Sequence, residues 1–168
     1  MKPDIIVVGT GHELQTGHSQ YSIDQHRAFQ KFLENLCNQY NIKLIAEEMS
    51  EDILPDCEVS ETNSKQVAVR RGIQHQYVDL TAVERLAFGI DRLSLHKISQ
   101  SAKLSTPQVA SLERLAGEFR ECVWLTRILA LNKWPTLFIC GADHAPRVEY
   151  LFNSVGKLAH LESNDYKP

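Results

Sequence analysis

The chain opens on a continuous apolar run, DIIVVG (Asp4–Gly9). Such a run predicts a strand buried on both faces, as in a parallel sheet. In SIDQHRAFQKFLENLCNQYN, residues Ile23, Phe29, Phe32, Leu33, Leu36, Cys37 and Tyr40 recur at helical spacing. Ser22 is placed to cap this helix and Asn41 to end it. KLIAEE (Lys43–Glu48) reads as a second strand that closes on two carboxylates. Pro55 breaks the stretch that follows, and a helix is predicted from near Thr62 to Arg71, stopping at Gly72. IQHQYVDL is a third strand ending at Asp79, and TAVERLAFGI carries a capping box, Thr81 with Glu84. The segment Asp91–Ser105 is polar and takes no clear assignment.

The longest helical pattern is STPQVASLERLAGEFRECVWLTRILALNKWP, with Pro107 in its first turn and Pro135 as its stop. TLFICG (Thr136–Gly141) is a fourth strand, HAPRVEYLFNSVG a helix closed by Gly156, and LAHLE a candidate last strand. Alternating helices and apolar strands predict an α/β fold. The expected form is a mostly parallel central sheet of four to five strands with helices on both faces. It is read as a single domain over residues 1–162, with 163–168 (SNDYKP) as a frayed tail. The length of 168 residues suits one sizeable core.

Composition narrows the function. Hydrophobic residues make up 43% and the formal net charge is -3, which disfavours a nucleic-acid partner, since phosphate binding is driven by basic surfaces. No apolar run reaches membrane-spanning length, and Met1–Asp4 runs into IIVV without a secretory signal. A cytoplasmic location with no membrane attachment is the expectation. Cys37, Cys57, Cys122 and Cys140 form no CxxC pair. Cys37, Cys122 and Cys140 lie in apolar segments and read as buried reduced thiols.

The chemistry collects at the strand ends. They supply Gly9-Thr10-Gly11-His12, Glu47-Glu48, Asp79 and Gly141-Ala142-Asp143-His144 in turn. In open parallel sheets ligands bind outside the carboxyl ends of the strands. A phosphate cradle is excluded by its own rules. The third glycine of G-x-G-x-x-G falls on Leu14, and no lysine lies between Lys2 and Lys31. The loop Thr10–Tyr21 is long for a βα turn and suggests a lid, with His18 in it.

Histidine and carboxylate chemistry fits better. GTGH and GADH place His12 and His144 identically, three residues after a strand-ending glycine. Glu47 and Glu48 would face opposite ways on a regular strand, and only a loosened strand end lets both reach one site. With the histidines they suit a Mn²⁺, Co²⁺, Zn²⁺ or Fe²⁺ centre, or a metal-free acid/base pair. On the long helix, Val109, Leu112, Ala116, Phe119 and Val123 define an apolar arc at ~100° per residue. Arg120 and Arg127 project within about 40° of its centre, with Arg114, Glu118 and Glu121 on the other side. A cation on that face needs a partner: a structural carboxylate, the glutamate pair or a substrate anion. Thr10, Asp79 and Asp143 stand beside these groups as substrate-binding candidates, while His26, His75 and His160 have no such context.

The ordered set Gly9–His12, Glu47-Glu48, Arg120 in FRECVWLTRI, and Gly141–His144 resembles a superfamily that includes TraB-type proteins, Tiki proteases, erythromycin esterases and ChaN-type haem-binding proteins. The resemblance covers most of the chain. It implies one site built on those residues, in proteins described variously as metal-dependent peptidases, metal-independent esterases and haem carriers. The leading expectation is a small cytosolic hydrolase of an ester, peptide or phosphoester bond, acting on a small-molecule or peptide substrate. Glu47 or Glu48 would activate water, directly or through a divalent metal held by His12, Glu47, Glu48 and His144. Arg120 would hold the glutamates or stabilise an oxyanion. The alternative is a non-catalytic protein binding a metal, haem or small molecule in the same pocket.

Overall fold

The computed structural model describes residues 2–57 and 59–168. Its elements are β1 (Ile5–Thr10), α1 (His12–Thr16), α2 (Ile23–Tyr40), β2 (Leu44–Glu47), a 3₁₀ turn (Glu51–Cys57), α3 (Asn63–Arg71), β3 (Gln74–Tyr77), α4 (Ala82–Ala87), α5 (Arg92–Ser101), α6 (Thr106–Leu131), β4 (Thr136–Gly141), α7 (Ala145–Ser154) and β5 (Ala159–Tyr166). The five strands form one all-parallel sheet in the order β3-β2-β4-β1-β5. The α/β architecture is therefore the one the apolar pattern predicts.

Strand periodicity divides the interior into two cores. Ile6, Val8, Ile45, Leu137 and Ile139 pack with α1, α2 and α3 through Leu14, Phe29, Leu33 and Val67. Their neighbours Ile5, Val7, Ala46, Phe138 and Cys140 pack on the other face with α6 and α7, through Trp124, Ile128, Val148 and Phe152. The helix leaving β1 thus lies on one face and the helix leaving β4 on the other, although β1 and β4 are hydrogen-bonded neighbours. A crevice opens at the carboxyl ends of such a strand pair, the usual ligand position in this architecture.

Four expectations are corrected. The loop after β1 contains the short helix α1, entered at Gly11 and closed by Gly17 with φ +82°. Residues Ser163–Tyr166 are not frayed. They extend β5 along β1, and the Tyr166 ring stacks on Phe32 with centroids 4.3 Å apart. Cys37 and Cys140 are buried, but Cys122 is exposed. Helix α6 is also rotated from its predicted orientation. Ala116, Glu121, Trp124 and Ile128 face the core, while Phe119 and Leu115 are exposed. The ambiguous stretch after Ile90 forms α5, capped where the Asp91 side chain accepts from Ser94 N at 3.0 Å.

Glycine at position 9 has a steric cause. A Cβ there would fall 2.0 Å from the Asn164 carbonyl oxygen of β5. Only glycine lets β5 approach β1 so closely.

Candidate functional site

Strand alternation separates the two glutamates. Ile45 and Glu47 point to the α3 face, so Glu47 Oε2 accepts from Thr62 Oγ1 at 2.6 Å, from Ser64 Oγ, and from His75 Nε2 at 3.2 Å. Glu48 points to the α6 face. Its Oε1 accepts from Arg120 Nη2 at 2.7 Å and its Oε2 from the Gly141 backbone N–H at 2.7 Å. Both carboxylates are buried, yet they share no partner. The pairing of Glu47 with Glu48 in one site is therefore corrected: β2 stays regular to its end and keeps the two side chains on opposite faces.

Both G-x-x-H segments do converge on Glu48. His12 Nε2 lies 3.9 Å and His144 Nε2 3.8 Å from Glu48 Oε1. A Cβ at Gly141 would stand 3.3 Å from His12 Nε2, 3.4 Å from Glu48 Oε2 and 3.5 Å from His144 Cδ2. Glycine there leaves room for three side chains to meet over the end of β4.

Asp79 forms the back wall. It accepts from Leu80 N at 2.8 Å, Arg120 Nε at 3.1 Å, Trp124 Nε1 at 2.8 Å and, through its second oxygen, Arg120 Nη2 at 2.6 Å and Arg85 Nη2 at 2.5 Å. Burial opposes its charge, but the hydrogen bond and charge of Arg120, then Arg85 and Trp124, outweigh it and hold the carboxyl below its usual range. Arg120 is itself pushed against ionisation by burial, and Asp79 and Glu48 more than restore it. Each ion here is buried with its partners, the condition under which buried charge is tolerated. Arg120 makes these hydrogen bonds through Nε and Nη2, and Nη1 makes none among the described residues. The guanidinium also stacks over Trp124, 5.1 Å from the ring.

The two histidines differ in what holds them. His144 Nδ1 is 2.7 Å from Glu121 Oε1, and its ring meets Trp124 edge-on with centroids 5.1 Å apart. The Glu121 hydrogen bond, opposed by burial and helped by the Glu48 charge, raises the His144 pKa above its ordinary value. Arg147 Nε lies 2.7 Å from the other Glu121 oxygen, close enough for charge pairing though not aligned as a hydrogen bond. His12 is the more exposed of the two, and its Nδ1 faces the neutral Gln15 Oε1 at 3.2 Å.

The remaining candidates lie elsewhere. The Thr10 hydroxyl donates to the Tyr166 carbonyl at 3.2 Å, which makes it a tie between β1 and β5. Asp143 is exposed and faces away from the cavities. Arg127 braces the main chain, donating to Asp79 O at 2.6 Å. His18 is exposed and lines the smaller cavity, and His75 belongs to the Glu47 cluster. Sequence reasoning missed Glu121, Trp124 and Arg85. It set Glu121 on the wrong side of α6, and the one available signal was its place beside Arg120, a buried-type cation needing carboxylates nearby.

Two adjoining cavities meet at this cluster. One of about 360 Å³ is lined by His12, Glu48, Asp79 and Arg120, and one of about 1170 Å³ reaches His144 and Arg120 from beneath α4 and α5. A divalent metal fits this donor set poorly. Both oxygens of Glu48 are already engaged, Oε1 by Arg120 Nη2 and Oε2 by the Gly141 N–H, each at 2.7 Å. Among the described residues no group of three or more His, Cys, Asp or Glu is arranged to hold an ion. No helix among those residues is long and apolar enough to cross a membrane. Comparison with protein-family models, curated proteins and solved structures finds no match.

Proposed function

We propose that the chain is a metal-independent hydrolase acting at a carbonyl carbon, one of the activities described among the TraB, Tiki, erythromycin-esterase and ChaN-type proteins it resembles. One observation carries the reading: His12 Nε2 and His144 Nε2 flank the same oxygen of Glu48, at 3.9 and 3.8 Å, and the Arg120 guanidinium holds that oxygen at 2.7 Å. Those separations are too long for direct hydrogen bonds. They leave room for one water or substrate oxygen to touch all three groups.

The roles follow from the hydrogen bonds. Gln15 Oε1 lies 3.2 Å from His12 Nδ1, and in the tautomer that donates to it Nε2 presents its lone pair to a water. His12 takes the proton as that water attacks, and the buried Glu48 carboxylate stabilises the imidazolium formed. Arg120 Nη1 donates to the developing oxyanion. His144, whose pKa is raised by the Glu121 hydrogen bond, gives its proton to the leaving oxygen or nitrogen. Glu48 is clamped by Arg120 and Gly141, which suits an electrostatic anchor better than a base.

The test is hydrolysis of an ester, peptide and phosphoester panel, with and without a chelator. Ester turnover that survives chelation, and falls at least about 10²-fold in Glu48→Gln and in His12→Asn, is expected. Unchanged activity in those variants would overturn these roles. Activity lost on chelation and restored by Mn²⁺, Co²⁺, Zn²⁺ or Fe²⁺ would return the site to metal chemistry. A Soret band on incubation with haem, without turnover, would support the binding alternative instead.

A further inference from the structure

The larger cavity has a division of character. Its less exposed lining carries an apolar band, Ile53, Ile90, Leu95 on α5, and Val109, Leu112 and Ala116 on α6, interrupted by Asp91 and Ser99 at the two ends of α5. Asp56, Arg92, His96 and Glu113 are exposed and belong to the rim, whereas Arg85 is half-buried on Asp79 and Asp91 is half-buried as the cap of α5. The floor is His144 and Arg120. At about 1170 Å³ it exceeds the roughly 300–1,000 Å³ of an ordinary small-molecule pocket. The smaller cavity across Arg120, about 360 Å³, is bordered by Glu13, Thr16 and His18 beside His12 and Glu48, and is too small for a long chain.

A second feature points the same way. The helices that wall the large cavity also expose Leu86, Phe88, Leu93, Ile98, Leu115 and Phe119. The Phe88 and Phe119 rings lie 5.1 Å apart. Elsewhere exposed apolar residues are scattered. Leu93 lines the cavity itself and the others lie on the outer surface of the same segments, a concentration that marks a surface meeting apolar matter.

From this asymmetry we infer that the substrate is an amphiphilic carboxylic ester, with a medium- or long-chain acyl group in the large cavity and a polar alcohol part in the small one. The inference rests on the hydrolase reading above. In the step it describes, water oxygen bonds to the acyl carbon and its proton passes to His12. The ester C–O bond then breaks, and the alcohol oxygen leaves with the proton of His144. Fatty acid and alcohol are the products, and His12 and His144 exchange protons with solvent to reset.

The experiment compares p-nitrophenyl acetate, octanoate and laurate as substrates, and measures laurate binding to the Glu48→Gln protein by calorimetry. The expected result is a kcat/KM that rises from acetate to laurate, since each buried methylene is worth up to about fourfold. Leu112→Trp, which fills the cavity, and Leu95→Glu, which places a charge in its wall, should each narrow the laurate-over-acetate preference at least tenfold. Laurate should bind the Glu48→Gln protein and bind less once Leu112→Trp is added. Laurate binding without hydrolysis of any ester overturns the hydrolase reading and the substrate assignment with it. Hydrolysis of acetate as fast as laurate, unaltered by either wall variant, overturns the acyl-chain assignment alone.

Discussion

The sheet and the α4–α5 segment are built by opposite rules. Every residue of β1, β2 and β4 is buried, and each side chain in them has a fixed address on one of two faces. Helices α4 and α5 contain no buried residue at all. They owe their form to local chemistry: the reciprocal capping box of Thr81 and Glu84, and the Asp91 cap. The groups proposed to do the chemistry hang from the rigid region. Among the groups proposed to choose the substrate, Ile90 and Leu95 belong to the loosely held one, facing Val109 and Leu112 on α6. Positioning to within a fraction of an ångström needs the first, and admission of a bulky ligand needs the second.

The largest effect that separates the two regions is a core truncation. Phe138→Ala removes a fully buried ring packed 5.9 Å from Trp124 and should cost about 3–5 kcal/mol in urea denaturation. A loss under about 1 kcal/mol would mean that the sheet interior is as pliable as the cap.

Gly141→Ala tests positioning within the rigid region. Its Cβ would meet His12, Glu48 and His144 at 3.3–3.5 Å. Ester turnover should fall about tenfold to a hundredfold, because small misplacements of reacting groups are costly, while the melting temperature moves little. Gly9→Ala should act first on stability. Its Cβ would collide with the Asn164 carbonyl and lie 2.9 Å from Ala145 Cβ, so about 1–3 kcal/mol of stability is lost as β5 and the start of α7 shift.

Titration gives a finer test. The raised His144 pKa contributes stability that is fully present below its unfolded value near 6.5 and is lost as pH rises through the folded value. The lowered Asp79 pKa contributes stability present above its unfolded value near 3.8 and lost as pH falls through the folded one. Glu121→Gln removes the largest cause of the His144 shift. NMR titration of the ring should then give a lower pKa, and the alkaline limb of kcat should move down in pH with it. An unmoved pKa would disconnect Glu121 from His144. The smallest effect belongs to the cap: Leu93→Ala, exposed on α5, should change stability by no more than about 0.5 kcal/mol.

Much of this was legible in the sequence. Continuous apolar runs gave away β1, β2 and β4, because only a strand covered on both sides needs no polar face. Thr62, Thr81 and Pro107 marked helix starts since each solves the problem of unpaired N–H groups by itself. His12, Glu48, Arg120 and His144 were legible because strand ends and repeated G-x-x-H spacing are local features. The failures share a cause. Along α6 apolar residues occur all round the helix, so the stripe that turns inward was fixed by what packs on it, and Glu121 was misplaced. Ser163–Tyr166 looks like a polar tail because β5 is an edge strand, whose partner β1 lies more than 150 residues away in sequence.

Residue type and spacing alone were enough to establish the alternating architecture, the sheet ends as the place of chemistry and four of the side chains that meet there. Those are consequences of local propensity and of burial patterns that repeat every two or three to four residues. The chain's three-dimensional packing settled the rest. It assigned Glu47 to α3 and Glu48 to Arg120, because strand alternation assigns adjacent side chains to faces covered by different helices. It brought Glu121 behind His144 and opened a large cavity with an apolar band beside them. These depend on which distant segments share a face, and no short stretch of sequence carries that information.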